Sequence, residues 1–161
     1  MSKFRPLFIE KIEDGDVPAI IRIADECRLS PWSENDYREE AKRNDSIMLR
    51  LANETREIIG FIVGRHVAGS QIDGANDAEL YNIGVTKIFR GAGWGTLLLQ
   101  SFLAQCKNDS VHNVWLDVRA SNTHAIEFYK KRGFVEFAER KRFYTNPVEH
   151  SIVMRFTCST Q

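Results

Sequence analysis

The order of residues predicts a mixed α/β fold in a single domain spanning residues 1–161, with about seven strands and about four flanking helices. Short runs with strand-like patterning are interleaved with stretches whose apolar residues recur at intervals of three and four. A glycine-rich run stands between one strand-like segment and one helix-like segment. Size agrees, since 161 residues, 43% of them hydrophobic, fit one sizeable core.

Phe4 to Ile12 reads as the first strand. Asp16 to Arg28 reads as a helix with Asp16 at its N-cap, because Ala19, Ile20, Ile23, Ala24 and Cys27 form one apolar stripe. Ser30-Pro31-Trp32-Ser33 breaks it, and Ser33 caps a second helix through Ala41, with Asn35 and Asp36 in its first turn. Ser46 to Asn53 and Glu57 to Ala68 form a hairpin across Glu54-Thr55 or a slightly longer turn. Polar Gly69 to Asn76 is a loop. Ala78 to Val85 is the next strand, followed by a helix from Gly93 to Lys107 that turns Leu98, Leu99, Phe102, Leu103 and Cys106 inward. In Asn113 to Arg119, Val114, Leu116 and Val118 alternate with Trp115, Asp117 and Arg119, giving a strand with two unlike faces. Asn122 caps a helix that packs Ala125, Ile126, Phe128 and Tyr129, carries Lys130, Lys131 and Arg132 in its last turn, and stops at Gly133. Phe134 to Arg142 and His150 to Phe156 are the last two strands, around a loop from Tyr144 to Val148.

The run Arg90-Gly91-Ala92-Gly93-Trp94-Gly95-Thr96 is the strongest chemical signal. Glycines let backbone N–H groups turn toward one point, and the helix that starts there adds its unpaired donors and the positive end of its dipole. An anionic cofactor is the first expectation, and a ligand-free glycine turn is the alternative. A Walker loop would need Lys and then Ser or Thr after the last glycine, where Thr96 and Leu97 stand. A dinucleotide fingerprint would need a third glycine at Thr96. Asp117 lies near the distance at which that fingerprint carries an acid, so this reading is weakened and not excluded.

Charge excludes other partners. The 22 basic residues balance the 22 acidic ones, leaving no global field to recruit nucleic acid or a membrane surface. Lys130, Lys131, Arg132, Arg140, Lys141 and Arg142 crowd the last third and read as a solvated face plus cations near a helix end. Cys27, Cys106 and Cys158 are odd in number and far apart, without zinc or disulfide spacing, which indicates a reducing compartment. Met1 to Glu10 lacks the uninterrupted apolar core of a signal peptide, so the expected location is the cytoplasm. His66, His112, His124 and His150 are scattered, and no metal is expected.

The glycine-rich loop, the strand ending Leu116-Asp117-Val118-Arg119-Ala120-Ser121-Asn122, and Ala125-Ile126-Glu127-Phe128-Tyr129 through Gly133-Phe134 together resemble the GNAT acetyltransferases. Within that superfamily the chain is similar to the ribosomal-protein alanine N-acetyltransferase type, which has a comparable Pro31-Trp32-Ser33 element and Arg119-Ala120-Ser121-Asn122 run. The resemblance spans nearly the whole chain and is strongest from Ala78 to Phe134. It implies a central mixed, mostly antiparallel sheet whose two middle strands splay and admit acetyl-CoA. The backbone of Ile83, Gly84 and Val85 would then pair with the pantetheine arm. Arg90, Gly91, Ala92, Gly93, Trp94, Gly95 and Thr96 would hold the pyrophosphate. Asn122 would border the cofactor, with Tyr129 beside its sulfur.

Acetyl transfer to an amine needs a neutral amine, a stabilised oxyanion and a departing thiolate. At pH 7 roughly a tenth of a protein's α-amine is neutral, against well under a thousandth of a lysine amine, so an N-terminal acceptor asks little of a base. A tyrosine hydroxyl can meet the leaving thiolate, and Tyr129 fits that role. For the base, Asp117 stands where the family type usually carries the longer glutamate. It could act through an ordered water, leave the task to Glu79, or be an ordinary solvated strand carboxylate. A bulge expected in the strand of Glu79 would disturb the parity that Glu79 shares with Tyr81, Ile83 and Val85.

The acceptor is expected near Trp32, which either packs between helices or touches the peptide, and near Tyr144, a loop aromatic with a polar tip. Two departures bear on the acceptor: Thr145-Asn146-Pro147-Val148 is shorter than in the family type, and His150-Ser151 stands where an acidic and a small residue are usual. The reading is direct transfer in a ternary complex, without a cysteine intermediate, to a protein N-terminal α-amine such as that of a ribosomal protein. The alternatives are a small-molecule amine acetyltransferase and an acyl-CoA-binding regulatory module without turnover. Oligomeric state is not readable.

Overall fold

The computed structural model describes residues 7–29, 31–69 and 76–158. Its strands are β1 (Phe8–Lys11), β2 (Ser46–Ala52), β3 (Ile58–Ala68), β4 (Asn76–Val85), β5 (Asn113–Arg119), β6 (Val135–Thr145) and β7 (Val148–Thr157). Its helices are α1 (Val17–Glu26), α2 (Glu34–Ala41), α3 (Trp94–Asn108) and α4 (Thr123–Lys130), with 3-10 turns at Asp14–Asp16 and Lys87–Phe89. The strands form one sheet in the order β1-β2-β3-β4-β5-β7-β6. Pairing is antiparallel in β1·β2, β2·β3, β5·β7 and β6·β7 and parallel in β4·β5. The mixed, mostly antiparallel sheet and four helices match the expectation. By contacts the chain divides into two compact units, Met1–His66 with Leu80–Gln105 and Val67–Glu79 with Cys106–Gln161. Elements β3, β4 and α3 each contribute to both.

In the first unit, α1 buries Val17, Ile20, Ile23 and Ala24 at helical spacing, against a core that includes Tyr37, Met48, Phe61 and Val63. Asp16 occupies its N-cap position without capping it. The Asp16 carboxylate instead accepts from the Glu13 N–H at 2.7 Å and pairs with Arg50, because a 3-10 turn precedes the helix. Ser33 caps α2 as expected: its Oγ accepts from the Asp36 N–H at 3.1 Å, and Asp36 answers the Ser33 N–H at 2.7 Å. The β2–β3 hairpin closes over Asn53, whose Oδ1 accepts from the N–H groups of Thr55 and Glu57. β1 begins at Phe8, and the part of the expected first strand at residues 4–6 lies outside the described residues.

In the second unit, β5 has the expected bounds and alternation, with Val114, Leu116 and Val118 buried and the residues between them half-buried. Asn122 caps α4, its Oδ1 accepting from the Ala125 N–H at 3.2 Å, and the helix is stopped by Gly133 at φ 95°. β4 starts at Asn76, two residues before the expected strand, and its carbonyl accepts from the His112 N–H at 2.7 Å. Residues 70–75 of the expected loop are outside the described residues. The final hairpin differs more. Tyr144 pairs with Glu149 and Thr145 with Val148, leaving a turn of Asn146-Pro147, so Tyr144 belongs to β6 and not to a loop. Register breaks twice along β6, between Glu136 and Ala138 and between Arg140 and Tyr144, where Arg142 has φ 54° and its N–H donates to His150 Nδ1.

Candidate active site

In the first unit β4 ends at Val85, and a 3-10 turn and the glycine run connect it to α3. Gly91 and Gly93 have φ of 81° and 86°, which L side chains adopt at a cost. No atom lies within 4 Å of where a Cβ on either would stand, so conformation and not crowding requires glycine there, and space beside the loop is open. Among the described residues, the N–H groups of Gly91, Ala92, Gly93, Trp94 and Gly95 have no acceptor. The first such bond closing α3 runs from Leu97 N–H to Gly93 O at 3.0 Å. Unpaired donors at a helix N-terminus make an anion-binding loop.

The junction before that loop is fixed by a residue the sequence reading missed. Glu26, at the end of α1, accepts from Thr86 Oγ1 at 2.9 Å and from the Lys87 N–H at 2.5 Å. These bonds, the Lys87 N–H first, hold its carboxyl below the usual range. Nothing local signals this pairing, since the partners are sixty positions apart. Arg90 folds back along the strand, its Nε donating to Val85 O at 2.8 Å and its Nη2 to Cys27 Sγ at 3.1 Å. Ile83 is half-buried, while Gly84 and Val85 are buried. Thr96 lies in the first turn of α3. Trp32 takes the packing role: its ring lies 5.1 Å from Tyr37 and 5.6 Å from Tyr81, and Arg65 stands 5.5 Å over Tyr81.

The second unit holds Glu79, Asp117, Asn122, Tyr129 and Tyr144. Glu79 is in register with Trp115 across the parallel β4·β5 ladder, so Glu79 and Asp117 share a sheet face. Burial alternates without interruption from Ala78 to Gly84. Asp117 Oδ1 accepts from the hydroxyl of fully buried Ser151 and lies 3.7 Å from Arg140 Nε. Tyr129 is 8% exposed, its ring 5.3 Å from Phe128 and 5.4 Å from Phe134. Burial first, and Tyr144 second, hold its phenol well above the ordinary tyrosine range.

Tyr144 is half-buried and clamped. Arg119 sits 4.2 Å over its ring while donating to Pro147 O at 3.2 Å, Asn146 O at 3.3 Å and Glu149 Oε2 at 3.3 Å. Glu149 also accepts from the Ser121 N–H at 2.6 Å, one residue before the cap of α4. Burial first and the Asp117 charge second raise the Tyr144 phenol. The Ser121 bonds lower the Glu149 carboxyl. Arg119 and Glu149 thus join the final hairpin to the start of α4. Of the other candidate groups, Cys106 is buried and its thiol pushed up to about 12 by burial and by Cys158. Among the described residues no group of three or more His, Cys, Asp or Glu gathers, and no helix is long and apolar enough to cross a membrane.

Comparison with known proteins joins these halves to one family. The model of the acetyltransferase (GNAT) family matches residues 17–134. The ribosomal protein bS18-alanine N-acetyltransferase of Haemophilus influenzae is 34% identical over 152 residues, 91% of this chain and 95% of that protein. The crystal structure of the ribosomal-protein-S18-alanine N-acetyltransferase from Escherichia coli superposes with a TM-score of 0.83 at 28% identity, covering 97% of this chain and 96% of that one. Arabidopsis thaliana NAA60 in complex with acetyl-CoA shares the fold alone, at 17% identity and a TM-score of 0.85 over 94% of this chain and 98% of that one. A family match over most of the chain, a relative one-third identical along nine-tenths of it and a loop of unpaired backbone donors agree that this chain belongs to the acetyltransferase (GNAT) family.

Proposed function

We propose that the chain is a cytoplasmic N-acetyltransferase, residues 1–161 working as one domain. It transfers acetyl from acetyl-CoA to the α-amine of a protein N-terminus such as that of a ribosomal protein. The observation that carries the donor is the loop Gly91–Gly95, whose unpaired N–H groups and open side suit a pyrophosphate. The acceptor rests on the Haemophilus relative, which is named a ribosomal protein bS18-alanine N-acetyltransferase.

Bound acetyl-CoA supplies the activated thioester. The backbone N–H groups of Gly91, Ala92, Gly93, Trp94 and Gly95, with Arg90 and Thr96, would hold the anionic end, while the backbone of Ile83, Gly84 and Val85 and the side of Asn122 would receive the rest. Arg90 would exchange its bond to Val85 O for one to the phosphate. Asp117, or Glu79 on the same face, takes the proton of the acceptor ammonium directly or through water. The neutral nitrogen forms its bond to the acetyl carbon, the carbon–sulfur bond breaks, Tyr129 gives its proton to the departing sulfur, and the second proton of the nitrogen passes through water to the Tyr129 oxygen, which restores the phenol. Tyr144, a half-buried aromatic with a polar tip, contacts the acceptor and excludes water.

The test is to incubate pure protein with acetyl-CoA and a panel of N-terminal peptides, lysine peptides and polyamines, reading products by mass. Acetylated N-terminal peptide is expected. Product from polyamines alone would make this a small-molecule enzyme, and no product despite measurable CoA binding would make it a regulatory module.

A further inference from the structure

We propose that Ser151 is a positioning residue for Asp117 and that the two act as one unit, an inference that rests on Asp117 being the proton acceptor. The β5·β7 ladder sets Asp117 opposite Val153 and Arg119 opposite Ser151, so Asp117 and Ser151 are diagonal neighbours on one face. Ser151 is fully buried, and a buried hydroxyl requires a partner. It donates to Asp117 Oδ1, a charge-assisted bond of the stronger kind. Arg140, which β6 places opposite Ser151, approaches the same oxygen at 3.7 Å. Both contacts fall on Oδ1. Oδ2 bonds to no described residue, and the Asp117 side chain keeps 27% of its surface open.

One oxygen is therefore anchored to the sheet, and the other is held at a fixed angle where an ammonium or a water can meet it. Without the hydroxyl a short carboxylate on a strand swings about two side-chain torsions. Aspartate at 117, where the family type usually carries the longer glutamate, is the shorter acid, and Ser151 supplies its anchor.

A double-mutant cycle tests this with the full chain: Asp117→Asn, Ser151→Ala, Asp117→Glu, and Asp117→Glu with Ser151→Ala, measured as kcat and KM for the peptide and affinity for acetyl-CoA. Ser151→Ala is expected to lower kcat by up to about a hundred-fold, the scale of an ångström-level misplacement, with peptide KM and acetyl-CoA affinity unchanged. In the Asp117→Glu background the same change is expected to cost far less, so the effects do not add. If Ser151→Ala fails to fold, Ser151→Cys, nearly isosteric and a weak donor, takes its place in the cycle. Unchanged kcat for Ser151→Ala, or an equal loss in both backgrounds, overturns the unit. Full activity of Asp117→Asn instead overturns the assignment of Asp117 as base, and is distinguishable because it does not involve position 151.

Discussion

Tyr129 keeps its proton. Packed between Phe128 and Phe134, its phenol is held above the ordinary range by burial, so it stays a donor at every pH where an N-terminal amine becomes a nucleophile. Tyr129→Phe should reduce turnover roughly 10²- to 10⁴-fold, the usual worth of general acid catalysis, while acetyl-CoA affinity measured by calorimetry stays as it was. Equal turnover would remove the acid. The cap at Asn122 was legible because it sits inside one short run whose helix start and stop are read from neighbours a few positions apart. Ser151, Arg119 and Glu149 were not legible in their roles. Their bonds join residues 28 to 34 positions apart, and only strand register creates them.

At the scale of elements, the turn into α3 does its work through backbone conformation. Gly93→Ala meets no neighbour, but it forces an L residue to φ 86°, a strain of roughly 1–2 kcal/mol. The free loop of the variant escapes that strain by leaving φ 86°, so acetyl-CoA, which must restore it, should bind about ten-fold more weakly against an almost unchanged thermal midpoint. Unchanged affinity in a folded variant would dismiss the loop as an anion site. Local chemistry made several elements readable: Ser33 and Asp36 announce α2, whereas the Asn53 bonds that shape the β2–β3 turn were not read. The final hairpin was misjudged because Thr145-Asn146-Pro147 has loop composition, whereas the turn needs only two of these residues and the ladder continues through Tyr144 and Thr145.

Across the whole molecule the charges balance, and many are locally paired. Glu10 beside Arg50 and Arg56, Glu26 at the loop junction, Asp36 in its capping box, Asp45 beside Arg43 and Glu149 on Ser121 all have carboxyls lowered by hydrogen bonds. Each is more acidic folded than unfolded, so its contribution is full above the ordinary values, 4.5 for Glu and 3.8 for Asp, and fades as pH falls through the lowered folded value. Thermal midpoints should therefore be steady from neutrality to about pH 5 and fall progressively below it. A flat profile from pH 6 to pH 3 would contradict this. The strand β6 carries one more consequence. It is one of the sheet's two outer strands and exposes Val135 and Phe137, which would invite an extended foreign chain to add alongside. Its two register breaks, Arg142 at positive φ and the consecutive cations Arg140, Lys141 and Arg142 deny such a chain an even ladder. A protein proposed to handle unstructured polypeptide ends is thereby shielded from becoming a template on which they aggregate.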